Sequence, residues 1–365
     1  MSIIRTFREG DIDAIARLHQ EVFPPDTGPA ELDVYRTYFR DTFLTGPRAD
    51  REIASLVCED DDRSLIGFLG VIPFRMAVDG RPIWATVSTQ FCVDPRRRGM
   101  TGLKLLRHHL SGPQDLSISD EANAITLRLW SFAGGEAVTS CSLHFLRPLR
   151  PAALALSLAA ARRPGLARVA RGMAVPARLV DSVLARVPQT RLRPPVPQTR
   201  GESLDASTMV AALPEIARER QVVPLYEPDA LAWYLQRAQA IPGGDVQRVL
   251  VRNRKGKLLG WYIYDRVPDG TAQLLQLAAP AEAARDVLDH LLYDAWQAGM
   301  IVVQGRLDPA LAQVYSDRFC LFSRRGPWML VHARDPALVH RFHRGEALFS
   351  PLDGEYCMRF KPRPG

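Results

Sequence analysis

The chain has 365 residues, with 47 Lys and Arg against 40 Asp and Glu, a formal net charge of +7 and 47% hydrophobic residues. That is enough apolar material for two domains of roughly 100–200 residues each. No uninterrupted apolar run reaches the ~18 residues of a membrane span, and no charged-then-apolar leader opens the sequence, so it reads as a cytoplasmic protein. The five cysteines (Cys58, Cys92, Cys141, Cys320 and Cys357) are scattered, without a CxxC pair, which suits reduced buried thiols. No histidine pair has HxxxH or HExxH spacing, so no metal is expected, and His108-His109 reads as a surface pair.

Residues 1–23 read as a short strand and then a helix. Gly10-Asp11 would cap that helix, and Ile12, Ile15, Ala16, Leu18, His19 and Val22 fall at helical spacing. Ile53–Glu59 and Leu65–Ile72 flank the acidic tip at 60–64 as a hairpin, and Asp79-Gly80 turns between Arg75–Val78 and Pro82–Val87. The stretch Thr89–Arg107 is the most telling. An apolar run ends at Pro95, Arg96, Arg97 and Arg98 follow, then Gly99-Met100-Thr101-Gly102, and amphipathic spacing begins. A strand that breaks into such a loop ahead of a helix aims several backbone N–H groups and the positive end of the helix dipole at one point, a seat for phosphate. Leu116–Ser119 reads as a strand, Asn123–Trp130 as a helix before Gly134-Gly135, and Glu136–Phe145 as extended.

In that order the elements resemble the GNAT superfamily of acyl-CoA-dependent N-acyltransferases over roughly residues 1–148. The residues that carry the resemblance are Ile4–Ile12, Val93-Asp-Pro-Arg-Arg-Arg-Gly99, and Asn123 with Leu129-Trp130 and Gly134-Gly135. The fold implied is α/β, a mixed sheet with helices on it. The resemblance implies contact with acyl-CoA, most simply acetyl-CoA, from Phe91, Cys92, Val93, Arg98, Gly99, Met100, Thr101, Gly102, Leu103, Asn123 and Trp130. Two departures stand out. The family's Gln/Arg-x-x-Gly-x-Gly/Ala loop is met in neither register, since counting from Arg98 puts Thr101 and Leu103 at the small positions, and counting from Arg96 puts Gly99 and Thr101 there. Trp130 stands where the family often has a tyrosine acid, and an indole gives up no proton near neutral pH. Near the expected split between the two central strands, Gln90, Ser119 and Asp120 are the candidate catalytic residues. For Ser119-Asp120 the simpler reading is a cap for the helix near Asn123.

From Arg147 to Arg200 there are eleven arginines and one acid, Asp181, so the excess positive charge lies in one Ala/Leu/Pro-rich segment. Residues 149–201 read as short amphipathic helices and a proline-stiffened connector. Three roles stay open for it: packing on the domains, meeting an anionic membrane surface, or drawing in acidic ligands. Nucleic acid is not expected, because the arginines are not interleaved with aromatics.

Residues 202–365 repeat the first pattern in faded form. Helices are expected at 204–220 and 227–240, a hairpin at 247–264, a strand at 271–278 with Gln276 matching Gln90, a helix at 281–298, a strand at 301–304 and a helix at 309–319. The loop after Pro280 carries Glu282 and no glycine, so this degenerate GNAT-like half is not expected to hold CoA. The tail, 340–361, is expected to close the sheet or cover the substrate cleft. Together these readings give domains at 1–148, 149–201 and 202–365, and acetyl transfer from acetyl-CoA to a small primary amine. The rival readings are an aminoacyl-tRNA-dependent transferase of related tandem fold and a non-catalytic binding module.

Overall fold

The computed structural model describes residues 2–24, 31–97, 99–163, 165, 172–187, 192–240 and 244–360. Two compact units emerge, neither of them a continuous stretch. The first gathers 1–142, 220–242 and 327–365, and the second 143–219 and 243–326.

In the first unit the sheet is built from β1 (Ile3–Thr6), β2 (Leu56–Glu59), β3 (Leu65–Val78), β4 (Arg81–Val93), β5 (Leu116–Ala122) and β6 (Glu136–Ala137). A late strand, β15 (Trp328–Ala333), lies between β5 and β6, giving the order β1-β2-β3-β4-β5-β15-β6. The β3–β4 hairpin turns at Asp79 (φ 49°) and Gly80 (φ 77°), the left-handed pair that matches strand twist. On one face lie α1 (Ile12–Val22) and α2 (Leu32–Phe43), whose Phe39 and Phe43 pack on Phe68 of β3; α3 (Met100–Leu110) lies on the opposite face, and α4 (Ala124–Ala133) follows β5. Gly67 on β3 is needed for this packing, since a Cβ there would stand 2.8 Å from Leu105 on α3. On the face opposite α3, Val87, Leu116, Ile118 and Val331 pack with Leu338 and Phe342 of the late helix Pro336–His343.

Three local expectations change. Asp11 does not cap α1; its carboxylate takes both Arg5 guanidinium nitrogens at 2.7 and 2.8 Å and the Arg8 N–H. His109 is not on the surface. It is 4% exposed beneath β4, with Thr86 Oγ1 3.5 Å from Nε2, and burial holds its imidazole down at about 3. Glu136–Phe145 is not one strand either: it supplies β6 to the first sheet and opens β7 (His144–Pro148), which belongs to the second.

In the second unit the strands are β7, β8 (Arg200–Ser203), β10 (Val246–Arg252), β11 (Leu258–Arg266), β12 (Thr271–Ala278), β13 (Val302–Arg306) and β14 (Leu321–Ser323), in the order β14-β7-β13-β12-β11-β10-β8. Read backwards, this is the first sheet again. Both sheets have one central parallel pair among their described strands, β4–β5 and β12–β13, flanked by antiparallel neighbours. The repeat is thus real, but the strands in the sixth position are exchanged. β7 completes the second sheet, and β15 the first. Residues 222–224 (β9, paired with β3) and the helix Pro228–Ala240 also belong to the first unit. The division at 148 and 201 therefore does not follow the compact units, because strand pairing joins segments distant in sequence.

Within the Arg-rich segment, α5 (Pro151–Arg162) and α6 (Ala174–Leu184) pack together in the second unit. The segment's one acid explains the pairing. Asp181, 4% exposed, accepts the Ala152 and Ala153 N–H groups at 2.8 and 3.0 Å, satisfying the first turn of α5. Asp181→Ala should cost about 1 kcal/mol locally. Hydrogen exchange at Ala152 and Ala153 should quicken while amides of β12 stay protected.

Candidate active site

β4 and β5 pair at Ala85–Val87 with Leu116–Ile118, yet β4 runs on to Val93 and β5 to Ala122. Over 88–93 and 119–122 the strands part, leaving a gap in the sheet. A bulge sits at its lip. The β3–β4 register shifts between Phe68 and Gly70, and Gln90 opposite takes φ 51°, a left-handed backbone uncommon outside glycine. The Gln90 amide then reaches two ways: Oε1 lies 2.6 Å from His19 Nε2, and Nε2 donates to the Met358 carbonyl at 3.2 Å. Since the Gln90 oxygen faces His19, the His19 proton resides on Nε2. Burial lowers the pKa of that imidazole, keeping it neutral. Tyr38 also donates to the Met358 carbonyl, at 2.5 Å.

The segment Gly354–Phe360 fills the gap. Glu355 Oε1 accepts the Ser119 hydroxyl at 2.8 Å and the Asp120 and Glu121 N–H groups at 3.1 Å each. Asp120 Oδ1 in turn accepts the Glu355 N–H at 2.7 Å, and Glu121 holds the Arg359 Nε at 2.8 Å. A carboxylate thus takes the hydrogen bonds that β5 has no strand to receive. Burial first, then the charges of Asp120 and Glu121, push the Glu355 carboxyl up to about 8. Upstream the segment is anchored by buried Asp353, which accepts the Tyr226 hydroxyl and the Ser350 hydroxyl and N–H. Beside it lies a cavity of about 470 Å³ lined by Asp33, Tyr38, Asp41, Arg237, Cys357 and Phe360, among others.

The loop between β4 and α3 has the strand–turn–helix form expected from the sequence. Pro95–Arg97 make a 3₁₀ turn, Gly99 has φ 109° and ψ −106°, and α3 starts at Met100. Among the described residues no side chain caps this helix, whereas Asn123 caps α4. The first-turn N–H groups of α3 thus remain directed at an external acceptor. Arg97 pairs with Asp60 at 3.1 Å, and Arg96 stands 4.0 Å from Glu21. Arg98 lies outside the described residues. Met100 is exposed, Leu103 half-buried, and Thr101 and Gly102 are buried; a Cβ on Gly102 would meet the Phe91 ring at 3.3 Å.

Not every expected residue faces this site. Trp130 is 1% exposed in a core with Leu106, Leu110, Ala122 and Leu330, so its side chain has no surface to offer a cofactor. Asn123 spends its side-chain oxygen on the Ile125 and Thr126 N–H groups. Cys92 is 1% exposed, and burial pushes its thiol up to about 12, leaving only its backbone to serve at the bulge between half-buried Phe91 and Val93. Ser119 and Asp120 are not helix caps; with Gln90 they line the gap, joined through the C-terminal segment. Glu355, His19 and Tyr38 were absent from the sequence-derived set. The expected cover by residues 340–361 was the one signal for Glu355.

In the second unit the corresponding helix, α9 (Ala281–Gln297), starts differently. The Ala281 N–H already donates to Glu219 at 3.1 Å, and Glu282 sits in the first turn. Carboxylates occupy the position that an incoming phosphate would need.

Residues 3–112 match the acetyltransferase (GNAT) domain family. Residues 3–112 therefore carry a GNAT acetyltransferase domain. The match spans β1 to the end of α3, which includes the bulge and the loop ahead of α3. Solved structures share the two-unit fold. A conserved protein of Enterococcus faecalis V583, described as a probable N-acyltransferase, is 10% identical with a TM-score of 0.58, covering 94% of this chain and 74% of that one. A GCN5-related N-acetyltransferase from Anabaena variabilis is 11% identical with a TM-score of 0.57 over 92% and 74%. Saccharomyces cerevisiae N-myristoyltransferase with bound myristoyl-CoA is 9% identical with a TM-score of 0.50 over 91% and 79%. No curated protein matches the sequence.

Gly354 offers a test of how tightly this GNAT site is assembled. A Cβ there would lie 2.2 Å from Asp120 Oδ2. Gly354→Ala should displace Glu355 and, on a mechanism in which this carboxyl exchanges a proton, lower kcat by about tenfold or more.

Proposed function

We propose that this GNAT protein transfers an acyl group, acetyl in the first instance, from acyl-CoA to a primary amine of a small molecule within a ternary complex. In this reading the CoA phosphates rest on the N–H groups of Gly99–Leu103, and the thioester arm lies in the gap between β4 and β5. The acceptor enters from the cavity beside Tyr38 and Phe360. One observation carries the reading: the uncapped start of α3 and the buried Glu355 carboxyl both adjoin the same parted strand pair.

In the transfer step the amine nitrogen attacks the thioester carbonyl, the C–N bond forms, and the C–S bond breaks. Glu355, as carboxylate, takes the proton that the amine sheds. Ser119 and the Asp120 and Glu121 N–H groups hold that carboxylate in place. A base with a pKa near the working pH is well matched to this exchange. Protonated Glu355 then stands as the local acid for the departing thiolate, which makes the missing tyrosine at position 130 no obstacle. Gln90 keeps the bulge in shape through His19 and Met358.

The test is CoA release from acetyl-CoA with a panel of primary amines, followed with a thiol reagent; the five cysteines are free but buried, so background is low. Amine-dependent release supports the reading. Absence of acetyl-CoA binding by calorimetry sinks it, and stabilisation by tRNA instead would favour the aminoacyl-tRNA reading.

A further inference from the structure

Among the described residues, the α5–α6 pair carries an exposed apolar face that the proposed acyl transfer does not use. Val175, Leu179 and Val183 recur at i, i+4 and i+8 on α6 and are 66%, 64% and 60% exposed, with Val180 at 50% beside them. Leu158 of α5 is 46% exposed. Arg162, Arg163, Arg178 and Arg186 are exposed around these side chains. The one acid between 147 and 200, Asp181, is buried under the first turn of α5, so the pair presents aliphatic groups and cations with no exposed carboxylate.

We propose that this helix pair docks the protein on an anionic phospholipid surface. A second copy is a poor occupant, because it would bring another set of arginines and no carboxylate to answer them. An anionic bilayer supplies both complements: headgroup charge for the arginines and an acyl boundary for the valines and leucine. With 11 residues, α6 is about 16 Å long, half the thickness of a hydrocarbon core, so it lies in the interface plane. Among the described residues no helix is long and apolar enough to cross a membrane. The inference is independent of the acyl-transfer reading.

The test is flotation of the full chain with vesicles of phosphatidylcholine alone and of phosphatidylcholine with 30% phosphatidylglycerol (about the anionic fraction at which basic segments bind). Binding to the anionic vesicles alone is expected, with release at high salt. Leu179→Ser/Val183→Ser and Arg178→Gln/Arg186→Gln should each weaken partitioning about tenfold or more, with circular dichroism and thermal midpoint unchanged, since all four side chains are exposed. Equal binding to neutral vesicles, no flotation, or insensitivity to both variants would overturn the proposal. So would self-association without vesicle binding, or preference for a duplex oligonucleotide at matched salt.

Discussion

Replacing Gly99 with glutamate should cut acyl-CoA affinity by at least ~100-fold, read by calorimetry. Two effects add. Gly99 has φ 109° and ψ −106°, a backbone state that costs other residues on the order of 1–3 kcal/mol. The new carboxylate also stands at the positive end of α3, where the phosphate would accept its hydrogen bonds. Gly99→Ala separates the two, carrying the strain without the charge, and should lose about tenfold. Unchanged affinity in Gly99→Glu would place the phosphate seat elsewhere in the unit.

Glu355→Gln should lower kcat by roughly 10²–10⁴-fold, the usual worth of a positioned acid or base, with acyl-CoA affinity unchanged. The pH profile is the sharper readout. In the native enzyme kcat/KM should rise with pH as Glu355 ionises, half-maximal near the value of about 8 to which burial and its acidic neighbours hold it. That limb should vanish in the glutamine variant. Stability moves the opposite way. A carboxyl raised from 4.5 to about 8 on folding contributes stability that is full below 4.5 and lost as pH rises through 8. The native chain should therefore lose more stability than Glu355→Gln between pH 5 and 8 in denaturant titrations (the window spanned by the two pKa values). A glutamine variant with an unaltered profile would return Glu355 to a purely structural role.

Local pattern was enough for the elements that make the seat. Helical spacing found α1 and α3, Asp79-Gly80 marked the hairpin turn, and the Pro95–Gly102 loop marked the break between strand and helix. Even the faded repeat was legible, because each half writes its own strands and helices in order. What local pattern cannot carry is pairing over distance. Nothing in His144–Pro148 says that it joins β13 and not β6, since a short apolar strand suits either sheet. The same holds for Trp130: an aromatic on a helix near a cofactor loop serves a core or a ligand equally well, and packing against Leu106 and Leu330 decided it. Glu355 was hidden for the same reason, being 235 residues away from the Asp120 N–H that it accepts.

The exchanged strand sets the timing of assembly during synthesis. A nascent chain that has reached residue 148 already contains the seat, the bulge and β5, yet β5 has no neighbour on its outer edge until β15 emerges near the end. Such an open edge is a template for pairing with the wrong chain. The carboxyl proposed to take the substrate's proton arrives later still. On the proposed mechanism, a chain that stops before residue 328 leaves β5 with an open edge and lacks the carboxyl that would take the proton.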